Sequence, residues 1–76
     1  MKLELFKYDS CPYCQRVMRA IDAMGRTDIE YCDIHASEEH RQRLISVGGK
    51  QQVPCLFIDG KPLYESADII AWLKEN

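Results

Sequence analysis

Two cysteines with two residues between them, Cys11 and Cys14, stand in the segment YDSCPYCQR near the start of the chain. A thiolate and a nearby second thiol can exchange disulfides, because the second thiol resolves the mixed disulfide that the first one forms. The same pair could instead form a static bridge, or it could bind a metal ion together with Cys32 and Cys55. Which chemistry applies depends on the elements that hold these side chains.

Alternation of polar and apolar residues, and apolar spacings of three and four, predict seven elements in the order β-α-β-α-β-β-α. Pro12 fits the first turn of a helix, and Gly25 fits its C-terminal cap. Ser37 and Ser66 are suited to cap the second and third helices. The predicted strands cover residues 2–6, 28–34, 53–59 and 61–65, and the first two predicted helices cover residues 12–24 and 38–47.

The order of these elements predicts the sheet. The first three elements form a βαβ unit, which needs a parallel strand pair with a right-handed crossover. Asp59-Gly60 between the last two strands is a tight hairpin signal, which adds an antiparallel pair. The predicted fold is therefore α/β, with a mixed four-stranded sheet flanked by three helices, and it is similar to the minimal thioredoxin-like architecture.

This fold places Cys11 at the N-terminus of the first helix, where unpaired backbone N–H groups and the helix dipole stabilise a thiolate. We expect Cys11 to be the nucleophile and Cys14, one turn inside the helix, to be the resolving thiol. A static bridge across so short a loop would add little stability. A zinc site usually has two closely spaced pairs, whereas 22 residues separate Cys32 from Cys55. We expect Cys32 to be a core residue, and Cys55 either packs in the core or acts as an oxidation-sensitive third thiol.

Size and charge narrow the class of protein. With 76 residues and a formal net charge of -2, the chain is expected to form a single domain, residues 1–76, and to bind neither nucleic acid nor a membrane. No segment has the apolar length of a membrane span, and the charged N-terminus contains no signal-peptide core. We therefore expect a cytoplasmic protein.

Three segments, in order along the chain, resemble motifs of the glutaredoxin family. Residues 11–14, CPYC, resemble the active site of dithiol glutaredoxins. Val53-Pro54 resembles the segment in which that family has a cis proline facing the cysteines. Residues 63–73, LYESADIIAWL, are similar to the Glu-Ser signature of the glutathione site in the N-terminal domain of glutathione transferases and in two-domain glutaredoxins.

The resemblance implies a glutathione-dependent thiol-disulfide oxidoreductase that reduces protein disulfides and protein-glutathione mixed disulfides. Glutathione is then the reductant, with no tightly bound cofactor and no metal. Backbone groups of Val53 would pair with the extended glutathione peptide, and the amides that open the last helix would bind its γ-glutamyl carboxylate. The implied glutathione-binding residues are Lys7, Tyr13, Val53, Pro54, Glu65 and Ser66.

The chain departs from the family pattern at three places. Lys7 lies four residues before Cys11, where many glutaredoxins have a basic residue three before, and Gln52 replaces the usual threonine. The transferase-like Glu65-Ser66 pair replaces the double-glycine and aspartate pattern of single-domain glutaredoxins, so the γ-glutamyl contacts are expected to follow the transferase pattern. The expected partners are glutathione and disulfide-containing or glutathionylated proteins, and the chain itself is expected to be a monomer. One alternative is a redoxin that thioredoxin reductase reduces and that donates electrons to ribonucleotide reductase, against which Glu65-Ser66 argues. Another is a non-catalytic carrier of an iron-sulfur cluster or zinc.

Overall fold

A four-stranded sheet organises the chain, and the computed structural model describes all residues from 1 to 76. Its central strand β1 (Leu3–Lys7) pairs in parallel with β2 (Ile29–Asp33) and antiparallel with β3 (Cys55–Ile58). Strand β4 (Lys61–Tyr64) pairs antiparallel with β3. The predicted mixed four-stranded sheet is therefore confirmed, with strand ends that differ from the predicted ones by a few residues at most.

Three helices follow the predicted order: α1 (Pro12–Met24), α2 (Glu38–Gly48) and α3 (Ser66–Glu75). Helix α1 ends where the sequence predicts, because Gly25 adopts a left-handed conformation with φ of 69° that favours glycine. The Ser37 hydroxyl accepts a hydrogen bond from the His40 N–H and so caps α2.

The start of α3 differs from the prediction that Ser66 is its N-cap. Glu65 holds the N-cap position, and its carbonyl accepts the first helical hydrogen bond, from the Ile69 N–H at 3.0 Å. Ser66 is the first residue inside the helix, and no side chain caps this end. The boundary moves because Glu65 adopts φ of 71° and ψ of 121°, which turns the chain sharply between β4 and α3.

The helices bury the two faces of the sheet in two separate hydrophobic clusters. Helices α1 and α3 cover one face, and α2 covers the other. The first cluster contains Leu3, Leu5, Val17, Ile21, Leu56, Ile69 and Leu73, and the second contains Phe6, Cys32, Ile34, Leu44, Cys55 and Phe57. Since neighbouring residues of a strand point to opposite faces, Cys32 and Cys55 lie on the side of α2, within the second cluster.

Candidate functional site

The Cys11 sulfur forms the N-terminal cap of α1. It accepts a hydrogen bond from the Cys14 backbone N–H at 3.3 Å, and Pro12 opens the helix without needing a donor of its own. The backbone N–H of Cys11 donates to the Tyr8 carbonyl at 3.2 Å, which fixes the turn that leads from β1 into the helix. The sulfur therefore lies where helix N–H groups and the helix dipole favour negative charge.

Cys14 has a different environment although it is only one turn away. Its side chain is fully buried, whereas Cys11 retains 5% of its exposure. Burial raises the pKa of the Cys14 thiol to about 12, and the neighbouring Cys11 sulfur adds to the rise. Cys14 is therefore a protonated thiol at neutral pH. This is the state expected of a resolving thiol before a mixed disulfide has formed.

A cavity of about 270 Å³ lies beside the start of α1. It brings together five of the six residues that the resemblance implies for glutathione, although they come from three separate parts of the chain. Gln52, which the sequence did not assign to the site, also lines it. The lining residues are Tyr13, Gln52, Val53, Pro54, Glu65 and Ser66. Tyr13 is 64% exposed, so its ring forms an open rim above the cavity.

One wall of this cavity is the segment before β3. The Val53-Pro54 peptide bond is cis, as the resemblance implied. The backbone N–H and C=O of Val53 make no hydrogen bond within the chain, so both can pair with an extended peptide. Gln52 connects this wall with the opposite one, because its side-chain amide nitrogen lies 3.4 Å from a carboxylate oxygen of Glu65.

The opposite wall is the turn into α3. Glu65 has a positive φ of 71°, a backbone conformation that residues other than glycine rarely adopt. Such local backbone strain is often kept at ligand-binding sites. The strained turn presents the first amides of α3 together with the buried Ser66, and a helix N-terminus of this kind suits a carboxylate.

Lys7 does not line the cavity. Its ammonium nitrogen lies 2.7 Å from an Asp9 carboxylate oxygen and 3.4 Å from one of Asp33, and the side chain retains only 12% of its exposure. The hydrogen bond to Asp9 is the main reason why the pKa of Lys7 is raised. With its charge engaged by two aspartates, Lys7 is poorly placed for the glutathione contact that the resemblance implied.

The four cysteines do not converge on a common point, so the geometry does not favour a zinc site made from all of them. Of the side chains that can ligate a metal, the one cluster of three is Glu4, Glu30 and Cys32. Arg43 donates hydrogen bonds to both carboxylate oxygens of Glu4 in this cluster, so these oxygens already have a partner.

None of the helices is long and apolar enough to cross a membrane.

The contrast among the cysteines predicts their reactivity. At pH 7.5, iodoacetamide should modify Cys11 first, because the thiolate is the reacting form and burial raises the pKa of Cys14 to about 12 and of Cys32 and Cys55 to about 11. Tandem mass spectrometry of tryptic peptides during the reaction measures the four rates, with fragmentation separating Cys11 from Cys14, which share the peptide of residues 8–16. Equal modification of Cys11 and Cys55 would contradict the core assignment of Cys55.

The fold and the thiol pair define the class: a protein of the thioredoxin-like fold with a dithiol at the start of its first helix. The family model described as the N-terminal domain of glutathione S-transferase matches residues 5–76. A probable glutaredoxin of Synechocystis is 31% identical over 71 residues, 92% of this chain and 80% of that protein. A glutaredoxin of Haemophilus influenzae is 33% identical over 82 residues, 100% of this chain and 94% of that protein.

The chain therefore belongs to the glutaredoxin family, and membership supports a thiol oxidoreductase role. Among solved structures, the glutathione transferase Omega 3C of Trametes versicolor superposes with a TM-score of 0.83 at 24% identity. The match covers 99% of this chain and 33% of the transferase, so the chain spans about a third of that protein's length. This likeness shows a shared fold.

Proposed function

We propose that the protein is a glutathione-dependent thiol-disulfide oxidoreductase that reduces protein disulfides and protein-glutathione mixed disulfides. The observation that carries the proposal is the position of the thiol pair: Cys11 caps α1 with its sulfur, and Tyr13, two residues later, lines a cavity that Val53 and the Glu65-Ser66 turn complete. Nucleophile and peptide-binding surface therefore meet at one end of the helix.

The reaction proceeds by thiol-disulfide exchange. The Cys11 thiolate attacks the glutathione sulfur of a mixed disulfide; one S–S bond breaks, another forms, and the protein substrate leaves as a thiolate that takes up a proton. A second glutathione thiolate then attacks the glutathione sulfur held on Cys11, which releases glutathione disulfide and restores the Cys11 thiolate. Each turnover consumes one free glutathione and releases one glutathione disulfide, whose other half comes from the substrate, and needs no other cofactor.

Reduction of a protein disulfide needs the second thiol. After Cys11 has formed a mixed disulfide with the protein, Cys14 loses its proton and attacks the Cys11 sulfur, which frees the reduced protein and leaves a Cys11–Cys14 disulfide. Two glutathione molecules then reduce that disulfide. The buried, protonated state of Cys14 suits this order of events, because a thiol with a raised pKa does not compete with Cys11 for the first attack.

In the proposed binding mode, glutathione lies extended in the cavity. The free backbone groups of Val53 pair with its peptide, and Pro54 faces its cysteinyl sulfur. Ser66 and the first amides of α3 receive the γ-glutamyl carboxylate, while the Tyr13 ring covers the sulfur from the exposed side. Lys7 has no direct part in this mode, because Asp9 and Asp33 hold its ammonium group.

We further propose that residues 1–76 act as one monomeric domain in a reducing compartment such as the cytosol. Glutathione could not sustain the cycle where thiols are kept oxidised. The partners in this proposal are glutathione and proteins that carry accessible disulfides or glutathionylated cysteines.

The deciding experiment is reduction of a small glutathione mixed disulfide, coupled through glutathione reductase and NADPH, with thioredoxin reductase replacing glutathione and its reductase in a parallel assay. We expect turnover with glutathione. Turnover with thioredoxin reductase alone would instead identify a redoxin that thioredoxin reductase reduces. No turnover in either assay would exclude an oxidoreductase that uses either electron donor.

Substitution of the resolving thiol should separate the two reactions. Cys14→Ser should retain reduction of the glutathione mixed disulfide, which needs only Cys11 and glutathione, but lose most of its reduction of a protein disulfide such as that of insulin. The two rates, measured on the same preparation, give the result. An equal loss of both activities would contradict the separate roles of the two cysteines.

A further inference from the structure

Tyr64, which the sequence did not single out, joins the two walls of the cavity. It is the last residue of β4 and directly precedes Glu65 of the α3 turn. Across the β3–β4 ladder it pairs with Cys55, the residue that follows Pro54. Its backbone is thus adjacent to both walls, although its side chain does not line the cavity.

The side chain of Tyr64 reaches the end of α2. Its hydroxyl donates a hydrogen bond to the Gly48 carbonyl at 3.0 Å, with the Lys50 carbonyl 3.5 Å away. The last carbonyls of a helix lack partners within the helix, so this bond satisfies one of them. The Lys50 ammonium lies 4.6 Å from the centre of the Tyr64 ring, which adds a cation-π contact to the same segment.

Gly48 shows how closely the hydroxyl approaches this backbone. A Cβ atom at position 48 would lie 2.3 Å from the Tyr64 hydroxyl oxygen, a separation that real Cβ atoms do not show. The next contact, with the ring carbon that bears the hydroxyl, would be 3.4 Å, which is ordinary van der Waals contact. The hydroxyl group alone occupies this space, so alanine at position 48 would force the hydroxyl to move, and a phenylalanine at position 64 would leave room for alanine.

We propose that Tyr64 is a positioning residue of the glutathione site: its hydroxyl ties the end of α2 to β4 and so fixes where the following segment of residues 49–52 begins, so that Gln52 and Val53 face the Glu65-Ser66 turn. This inference rests on the proposed glutathione-dependent function. Burial raises the pKa of Tyr64 to about 12, so the hydroxyl remains a donor over the whole working range of pH.

Tyr64→Phe removes the hydroxyl and keeps the ring against Lys50. We expect KM for a glutathionylated peptide to rise roughly three- to tenfold, the range that the loss of one net hydrogen bond gives. The value of kcat should stay within about twofold, because the contact supports binding and not the attacking sulfur. The rate of Cys11 alkylation by iodoacetamide should not change.

A double-mutant cycle with Gly48→Ala makes the test specific. In the wild-type background this substitution displaces the hydroxyl, so KM should rise as it does in Tyr64→Phe. In the Tyr64→Phe background the new methyl group meets no hydroxyl, so Gly48→Ala should add no further change. Tyr31→Phe is the matched control, because it removes a hydroxyl group from an exposed residue of β2, at the other edge of the sheet from β4, and should leave KM unchanged.

An unchanged KM in Tyr64→Phe, or additive effects in the cycle, would overturn the inference. Failure of the proposed function is distinguishable, since wild-type protein would then show no turnover with glutathione. In that case amide hydrogen exchange of residues 50–53 tests whether the Tyr64 hydroxyl holds this segment in place. Faster exchange in Tyr64→Phe than in wild type and Tyr31→Phe would support the anchoring, and equal exchange would exclude it.

Discussion

Cys11→Ser should lose all measurable turnover with both glutathione mixed disulfides and protein disulfides. A serine hydroxyl stays protonated at neutral pH and does not exchange with disulfides, so we expect a loss of roughly a thousandfold or more, as for removal of other enzyme nucleophiles. The measurement is the coupled assay, run at enzyme concentrations high enough to detect residual activity.

Loss of activity in this variant can be assigned to the missing thiol and not to a missing helix cap, because serine is itself a good N-cap. Its hydroxyl oxygen can accept the Cys14 N–H as the Cys11 sulfur does, so α1 should remain capped and the protein folded. A matched control is Cys32→Ala, which removes a thiol that packs under α2 and should preserve activity. Substantial turnover by Cys11→Ser would refute the assignment of Cys11 as the nucleophile.

Arg43→Met should destabilise the protein by roughly 2–4 kcal/mol, somewhat less than the loss of a partner from a fully buried ion pair, because the guanidinium is partly hydrated. Glu4 is only 2% exposed, and Arg43 holds it with two hydrogen bonds, one of them 2.7 Å long. Removal of Arg43 leaves a buried carboxylate without its main partner, since the Lys2 ammonium is 3.9 Å away and exposed. Urea unfolding at pH 7 measures the difference.

The pH dependence of unfolding gives a second readout of this ion pair. The hydrogen bonds from Arg43 lower the pKa of Glu4 below its ordinary value of 4.5. The ion pair therefore stabilises the fold fully above about that pH, and this contribution is lost as the pH falls further. In Arg43→Met, burial without a partner raises the pKa of Glu4, so that lowering the pH should relieve the destabilisation.

A double substitution, Glu4→Met with Arg43→Met, controls for the loss of the arginine side chain. Apolar groups can replace a buried ion pair at little net cost, so the double variant should be more stable than Arg43→Met alone. If the double variant were the less stable of the two, packing of Arg43 over Phe6 and Phe57 would explain the effect better than the charge on Glu4.

The features that depend on local sequence were predictable. Hydrophobic periodicity identified all seven elements, and Asp59-Gly60 forms the expected hairpin turn with positive φ at both residues. Pro12 located the start of α1 and with it the position of Cys11 at the helix N-terminus. For these residues the physical cause lies within a few positions along the chain.

The features that depend on distant partners were not predictable in the same way. Glu4 alternates with apolar residues in β1 and reads as a solvent-facing position, yet Arg43, 39 residues later, allows its burial. The sequence indicates a free cation at Lys7, because only the pairing of β1 with β2 brings Asp33 beside it. Tyr64 carries no signal of its link to Gly48, because a residue pattern does not show which backbone carbonyl a hydroxyl will reach.

The cap on α1 couples the oxidation state of the protein to its folding. The Cys11 sulfur accepts the Cys14 N–H, and a thiolate is a much better acceptor than a sulfur in a disulfide. Reduced protein thus gains a capping interaction of about 1 kcal/mol that the oxidised protein lacks. For a two-electron couple this corresponds to a reduction potential higher by roughly 20 mV. A single helix cap therefore makes the disulfide form a stronger oxidant than the same disulfide would be without it.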